Sequence, residues 1–283
     1  MTALIFAVAS ALLLGVSDFC AARSARSAPS VTVTRTAVIT STLAAPFFLL
    51  VRDFGFGGRD SLLALGSGIF MTSGLLLLYR GYAVARMGVV APLSSVLLAT
   101  VPVVWDVVDG ARPSSVAALG MVLGAVALVL TSYTPDGRGS VMLGAVLGSA
   151  SGVAFGVAYT FMSEVSPEAG LAPVMLQRLA GLSLLFVVAA FRDEPFIAPP
   201  GRARWYAIGT GAAGVLAIGA LQVAFQEGQS GGGSMTGPVS VASSQFATVA
   251  VVLSVLFNRE RMRWWQAVGV ASTAVAVALI AAG

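Results

Sequence analysis

Histidine and lysine are absent from this sequence, and cysteine occurs once, at Cys20. All 16 basic residues are therefore arginines. Zinc sites are built from His and Cys ligands, a Ser-His-Asp triad needs His, and Schiff-base or P-loop chemistry needs Lys. These absences exclude such sites, and one Cys leaves no internal disulfide. We expect no metal, no cofactor and no enzymatic activity.

Charge is also scarce, since 10% of the residues are charged and 57% are hydrophobic. Soluble chains are about a quarter charged. The apolar residues form long runs rather than a stripe with helical spacing, which is typical of membrane spans. The net charge of +4 does not indicate nucleic-acid binding, because the arginines are scattered in short loops where they orient spans. The expected solvent is the lipid bilayer.

Ten apolar runs each approach the ~20 residues that a helix needs to cross the hydrocarbon core. They lack the two-residue alternation of membrane barrel strands. The first run has neither the basic start nor the cleavage site of a signal peptide, so we expect it to be retained. The predicted spans are residues 3–22, 31–51, 61–79, 88–108, 114–133, 140–162, 170–191, 204–226, 235–257 and 264–282.

The two halves of the sequence repeat each other. The matches fall in one order at a slowly rising offset: Arg35 with Arg178, residues 91–94 with 237–240, and residues 112–120 with 261–269. Because five is odd, the second half would enter the bilayer from the opposite side. We therefore predict an all-α membrane protein of ten transmembrane helices, built as two inverted five-helix repeats. The repeats are residues 1–133 and 140–283.

This set of motifs resembles the EamA-type branch of the drug/metabolite transporter superfamily, over essentially the whole chain. The motifs are residues 15–19, Arg35 and Arg178, residues 91–92 with Pro102, residues 237–240, and Arg259-Glu260-Arg261 followed by residues 266–269. The chain departs from the pattern at Ala111, where the family has an acidic residue, and at Ala247 and Thr248, where it has a proline. The resemblance implies a multi-pass permease of the inner membrane that exports amino acids, related metabolites or drugs.

Apart from Arg204, the first residue of the eighth span, four formal charges lie inside the predicted spans, namely Asp18, Arg35, Asp106 and Arg178. A charge at membrane depth costs at least ~2.5–3.5 kcal/mol, so each needs a partner or a wet cavity. Asp18 is the first candidate. Together with Ser17 it would bind a substrate amine or take part in proton coupling. The alternative is a carboxylate that reaches water near a helix end or pairs with an arginine.

Arg35 and Arg178 occupy matching places in the two halves. A guanidinium can hold a carboxylate through two hydrogen bonds, so either residue is a candidate for a substrate carboxylate. The alternative is structural: each could anchor a helix end or neutralise Asp18. An acid and a base in one cavity would suit a zwitterion, which favours an amino-acid-like solute.

Gln222 and Gln245 are further candidates, because lipid offers their amides no hydrogen-bond partner. Like Gln226, they would either bind substrate or tie helices together. Tyr159 would line an apolar cavity or anchor the end of a span, and the same alternatives apply to Tyr79, Tyr82 and Phe225. Asp106, beside Trp105, and Glu227 are predicted to be carboxylates at the membrane interface.

Gly144, Gly148, Gly152 and Gly156 recur every four residues in the sixth predicted span. They place a smooth stripe on one helix face, which predicts close packing against another helix. Residues 209–214 fit the dinucleotide pattern G-x-G-x-x-G, but they lie inside an apolar span with no preceding strand. The pattern therefore does not indicate a nucleotide site.

The orientation signals disagree. Most loop arginines follow odd-numbered spans, which would place both termini outside, whereas the resemblance implies cytoplasmic termini. The sequence leaves the orientation, the coupling ion, the substrate and the oligomeric state open, a homodimer included. We predict a secondary active transporter of a small metabolite that works by alternating access. The alternatives are a non-transporting membrane subunit and a membrane-embedded lipid enzyme.

Overall fold

The computed structural model describes most of the chain, and the described part is helical, with turns between the helices. The described residues are 1–50, 55, 57–85, 87–110, 112, 114–132, 141–191, 194–230, 235–258 and 263–282. The predicted boundary between the halves at residues 133–140, Ala111 and the stretch Arg259-Glu260-Arg261 lie outside these residues.

Eleven α-helices are found in the described residues. They are α1 (Thr2–Ser24), α2 (Ser30–Ala44), α3 (Gly58–Val84), α4 (Met87–Val108), α5 (Ser115–Ser132), α6 (Val141–Ser163), α7 (Ala172–Ala190), α8 (Arg202–Gln229), α9 (Thr236–Ser244), α10 (Phe246–Asn258) and α11 (Trp264–Ala282). Two 3-10 helices, Ala45–Leu50 and Pro167–Ala169, follow α2 and precede α7.

Six of the described helical segments are long and apolar enough to cross a membrane, judged by length and composition. They are Thr2–Ser24, Ser30–Leu50, Gly58–Val84, Met142–Ser163, Ala172–Ala190 and Arg202–Gln229. Shorter apolar helical stretches occur at Leu93–Val108 and Ser115–Ala127. Large apolar side chains cover the outside, for example Leu43 and Leu62, which are 78% and 72% exposed. The protein is therefore membrane-embedded and multi-pass.

The helices differ from the predicted spans most clearly at four of them. The ninth predicted span is two helices, because Gln245 separates α9 from α10. The second span ends in the 3-10 helix Ala45–Leu50. The third and eighth helices run beyond their predicted ends, to Val84 and Gln229.

Helices from the two predicted halves interleave. Helix α1 packs on α8, α9 and α10, while α6 packs on α3 and α4. Helix α2 packs on α8, α3 packs on α7, and α5 packs on α11. The core therefore lies between the halves rather than inside each one.

The bundle has two ends, which side-chain contacts identify. At one end, the Ser24 hydroxyl donates to the carbonyl of Ala203 at 2.8 Å. At the other, an ion pair of 3.1 Å joins Arg59 to Glu164, just after α6. We call these the Ser24 end and the Glu164 end.

The glycine stripe of α6 lies against α4. A side chain added at Gly148 would meet Val90, one at Gly152 would meet Leu97, and one at Gly156 would meet Val101. Gly144 is buried on the same helix. Small residues let the two backbones approach closely, which is how helices gain contact area where lipid supplies no hydrophobic force.

Candidate substrate cavity

A cavity lies in the middle of the bundle, between the two predicted halves. Its walls come from α1, α2, α3, α4, α6, α7, α8 and α10. Seven polar residues line it: Ser17, Asp18, Ser41, Tyr79, Tyr159, Arg178 and Thr210. The cavity volume is about 50 Å³, which is room for a few waters at about 10–15 Å³ each. A larger solute would need the helices to separate.

Asp18 is buried, 5% exposed, and faces this cavity from α1. The hydroxyl of Tyr82 on α3 donates to its Oδ2 at 3.2 Å. One hydrogen bond leaves most of the acceptor capacity of a carboxylate unused. The group can therefore still accept a proton or hydrogen bonds from a solute.

Arg178 faces the same cavity from α7 and is 6% exposed. Its Nη2 donates to Oε1 of the neighbouring Gln177 at 2.5 Å. Gln177 in turn donates from Nε2 to the hydroxyl of Ser67 at 2.7 Å. The Nε of Arg178 has no partner among the described residues. The guanidinium is thus held in place by one neutral amide and keeps donors for an anion.

Asp18 and Arg178 do not neutralise each other. No ion pair between Asp18 and Arg178 is found in the described part of the chain, whereas Arg59 pairs with Glu164. Opposite buried charges that share a cavity without contact are costly. A solute that carries both charges would offset that cost.

Ser17 and Tyr159 also line the cavity, as predicted candidates. Ser17 donates its hydroxyl proton to the carbonyl of Thr210 at 2.9 Å, so it ties α1 to α8. The Tyr159 hydroxyl accepts a hydrogen bond of 3.4 Å from Ser243, and its ring packs edge-on against Phe225 at 6.0 Å between centroids. Tyr159 is therefore fixed from two sides.

Three predicted candidates lie away from the cavity lining. Arg35 is 1% exposed, and its guanidinium carbon lies 5.4 Å from the centre of the Phe196 ring. Gln222 is buried, and its amide finds no hydrogen-bond partner in the described part of the chain. Gln245 donates to the carbonyl of Val241 at 3.3 Å. The structure therefore brings Asp18, Ser17, Tyr159 and Arg178 together, but not these three.

Asp106, predicted to be a carboxylate at the membrane interface, lies two residues before the end of α4 and contacts another helix. Asp106 is 6% exposed, and its Oδ2 accepts a hydrogen bond of 2.5 Å from the backbone N–H of Gly237. Gly237 lies in the first turn of α9, whose free N–H groups need acceptors. Trp105 turns instead to Glu164, to which its indole N–H donates at 3.0 Å. Glu227 is half-buried near the end of α8.

Sequence reasoning missed Gln177, Ser67, Ser41 and Thr210. Gln177 and Ser67 hold Arg178, whereas Ser41 and Thr210 line the cavity. Gln177 directly precedes Arg178 in the sequence, and an amide beside an intramembrane arginine could have been predicted to bind it. Isolated Ser and Thr give none, because their hydroxyls are often satisfied by their own helix.

Contacts with the connecting segments tie the helices together at both ends of the bundle. At the Ser24 end, Thr32 donates to the carbonyl of Pro195 at 3.0 Å. At the Glu164 end, the Gln226 amide donates to the carbonyl of Gly170 at 2.6 Å, and Gln229 donates to Ser163.

Comparisons with known proteins give the fold and no more. No family model and no curated protein matches the chain. Twenty-nine chains of solved structures are similar to it. One crystal structure superposes with a TM-score of 0.73, covers 99% of this chain and 98% of its own, and is 18% identical. The helical arrangement is therefore that of a known fold.

Proposed function

We propose that the chain is a secondary active transporter of the inner membrane that carries a small zwitterionic metabolite. The observation that supports this most directly is the placement of Asp18 and Arg178 in one central cavity without an ion pair between them. An ammonium would bind the carboxylate, and a carboxylate would bind the guanidinium. The EamA-like motifs favour export of an amino-acid-like solute or drug.

We further propose that ten spans form two inverted repeats. In such a duplication α1, α2 and α3 correspond to α6, α7 and α8. The contact of α1 with α8 then corresponds to that of α6 with α3, and the contact of α2 with α8 corresponds to that of α7 with α3. All four contacts exist. Gly68 on α3 faces the Gln177 carbonyl of α7, and Gly211 on α8 faces the Ala37 carbonyl of α2. This reciprocity is what an inverted duplication would produce.

The mechanism would be alternating access around the central cavity. Rocking of one half against the other would break the contacts of Gln226 at the Glu164 end and then those of Thr32 at the Ser24 end. The smooth face between α4 and α6 would let these helices slide.

Asp18 would couple transport to an ion gradient. A carboxyl that binds either a proton or a substrate amine makes the two compete, and competition for one site yields exchange across the membrane. In the described residues no three Asp, Glu or Cys side chains converge as a metal-binding group.

The test is uptake by proteoliposomes together with ligand-dependent shifts in melting temperature, measured against a panel of amino acids and cationic drugs. A ligand raises the melting temperature of the state that it binds. We expect D18N and R178Q to reduce uptake at least tenfold and to lose the shift. The matched control R35Q changes a buried arginine at the corresponding position outside the cavity lining, and should keep both responses.

Equal loss in R35Q and R178Q would contradict the proposal, because the loss would then reflect the removal of any buried charge. Unchanged uptake in D18N would exclude the coupling role of Asp18. Absence of uptake and of shifts for every solute, with co-purification of a partner, would favour the non-transporting alternative.

A further inference from the structure

We propose that a groove between α3, α4 and α6 at the Glu164 end binds one phospholipid whose headgroup carries a primary ammonium, that is, a phosphatidylethanolamine. An acyl chain would lie in the groove, and the headgroup would bind Arg59 and Glu164 at its mouth. The groove shares no lining residue with the central cavity, so this site goes beyond the proposed transport function. Three features support it: the apolar walls, the position of the mouth, and the charges there.

The walls of the groove are apolar. Six side chains form them: Leu63 of α3, Val101, Val104 and Val108 of α4, and Val157 and Phe161 of α6. Thr160 also lines the groove, but its hydroxyl donates to the carbonyl of Gly156 in its own helix at 3.0 Å. The volume is about 450 Å³, far larger than the central cavity. Such walls suit a hydrocarbon chain and offer a polar solute no compensation for its lost water.

The groove runs along the helices and opens outward. Val101 and Val108 are seven residues apart on α4, which is about 10 Å along the helix axis. The residues that line the groove from α4 are spaced three or four apart, so they share one helix face. Val104 and Val108 are 55% and 75% exposed. In a membrane-embedded protein this face meets lipid, so an acyl chain can enter from the side.

The mouth of the groove lies at the ends of three helices. Arg59 is the second residue of α3, Trp105 lies three residues before the end of α4, and Glu164 directly follows α6. All three residues line the groove. Tryptophan is enriched at the level of the lipid headgroups. A lipid with its chain in the groove would therefore place its headgroup beside Arg59 and Glu164.

The Arg59–Glu164 pair can bind an anion and a cation at the same time. Glu164 accepts from the Trp105 indole at 3.0 Å and from Nη2 of Arg59 at 3.1 Å, which leaves about half of the lone-pair sites of the carboxylate. Arg59 also donates from Nη1 to the Glu164 backbone carbonyl at 2.8 Å, and a guanidinium has further N–H donors. The two side chains are 66% and 33% exposed. A phosphate would bind the guanidinium, and an ammonium would bind the carboxylate.

These groups distinguish between headgroups. The quaternary ammonium of phosphatidylcholine has no N–H to donate to Glu164, and phosphatidylglycerol has no cation. The surroundings also disfavour a purely anionic headgroup, because acidic residues outnumber arginine there. The other charged residues described at this end are Asp60, Asp106, Asp109, Arg112, Glu168 and Glu227. Phosphatidylethanolamine supplies both a phosphate and an N–H cation.

Trp105 reports on the site directly. The other tryptophans are Trp205, Trp264 and Trp265, which lie in the first turns of α8 and α11 at the Ser24 end. One variant, W205F/W264F/W265F, keeps Trp105, and a matched variant, W105F/W264F/W265F, keeps Trp205. Both are reconstituted in phosphatidylcholine with brominated acyl chains, which quench nearby indoles. Unbrominated lipids are then added, and the recovery of fluorescence measures which lipid replaces the quencher.

We expect phosphatidylethanolamine to relieve the quenching of Trp105 at least threefold more effectively than phosphatidylcholine or phosphatidylglycerol. At Trp205, phosphatidylethanolamine and phosphatidylcholine should be equal. In the variant that keeps Trp105, E164Q and R59Q should each bring the ratio to about one, because each removes one of the two charges. The control E168Q changes an exposed carboxylate at the same end and should keep the preference. An exposed ion pair contributes at most about 1 kcal/mol, so these variants should fold.

Equal relief by phosphatidylethanolamine and phosphatidylcholine at Trp105 would overturn the proposal, because the groove would then hold bulk lipid without selection. Stronger relief by phosphatidylglycerol would overturn it as well, since the mouth would bind an anion alone. A preference that survives E164Q would exclude the ammonium contact. Native mass spectrometry of the wild type with an equimolar mixture of the three lipids gives the same comparison without tryptophan variants. Preferential retention of one phosphatidylethanolamine is the result expected there, and equal retention would contradict the site.

Discussion

Arg35 and Arg178, which the proposed repeat would place at matching positions, have different surroundings. Arg178 reaches the cavity because Gln177 and Ser67 hold its guanidinium beside it. Arg35 lies under Phe196, in the segment between α7 and α8. R35Q therefore serves as the control for R178Q, because it also removes a buried arginine but not one that lines the cavity.

Asp106 illustrates a buried charge with a structural role. We predict that D106A lowers the melting temperature, because it removes the acceptor for the first turn of α9. Loss of such a cap costs about 0.5–2 kcal/mol, or about 2–4 °C per kcal/mol in a large chain. The control is D109A, which removes an exposed carboxylate from the residue after α4. Equal melting of both variants would show that the cap contributes nothing.

The distance between two packed helices depends on where one of them has glycine, which carries no side chain. On α6 the four-residue glycine spacing lets α4 approach until the backbone of Ser94 faces Gly152. The break between α9 and α10 has no such marker. There the N–H of Gln245 bonds the carbonyl of Ala242 at 3.4 Å, three residues back, as in a tightened 3-10 turn.

G152L should destabilise the bundle. Even the first carbon of a side chain at Gly152 would lie 2.8 Å from Cβ of Leu97, so the helices must separate. Overpacking of this kind costs about 1–3 kcal/mol, seen as lower melting temperature and lower yield. V153L adds volume at the next residue, which is 45% exposed, and should leave both unchanged. A G152L protein as stable as V153L would refute close packing of α4 on α6.

The whole molecule alternates direction from helix to helix, so its loops divide between two sides. Residues 25–29 and 194–201 lie at the Ser24 end, whereas Asp109 and Ser230 lie at the Glu164 end, by the order of the helices. This division is independent of which side is cytoplasmic.

Single cysteines in a C20A background would test that division with a membrane-impermeant thiol reagent. We predict that S27C and P200C react from one side of sealed vesicles, and that D109C and S230C react from the other. All four positions are exposed. Reaction of S27C and D109C from the same side would show that α2, α3 and α4 do not all cross the bilayer. Comparison with right-side-out vesicles would also settle the orientation that the arginine distribution and the family resemblance leave in conflict.

Composition and apolar runs were enough to predict an all-helical membrane protein, because lipid requires backbone groups to bond within their own helix. They did not predict the break at Gln245 or the 3-10 helix that ends the second span. The same constraint made the intramembrane charges conspicuous, so Asp18 and Arg178 could be selected from the sequence. These features are local along the chain.

Which polar residues share a cavity was decided only by the tertiary structure. Arg35 and Arg178 are equivalent in sequence, Gln222 and Gln245 are as polar as Gln177, and Asp106 is as acidic as Asp18. Their roles depend on the rotation of each helix about its axis and on the neighbours opposite. Those quantities are fixed by packing between residues more than a hundred positions apart, such as Ser17 with Thr210 and Asp106 with Gly237. The charge of a side chain is set by its own sequence position, but the group that it faces is set by the fold.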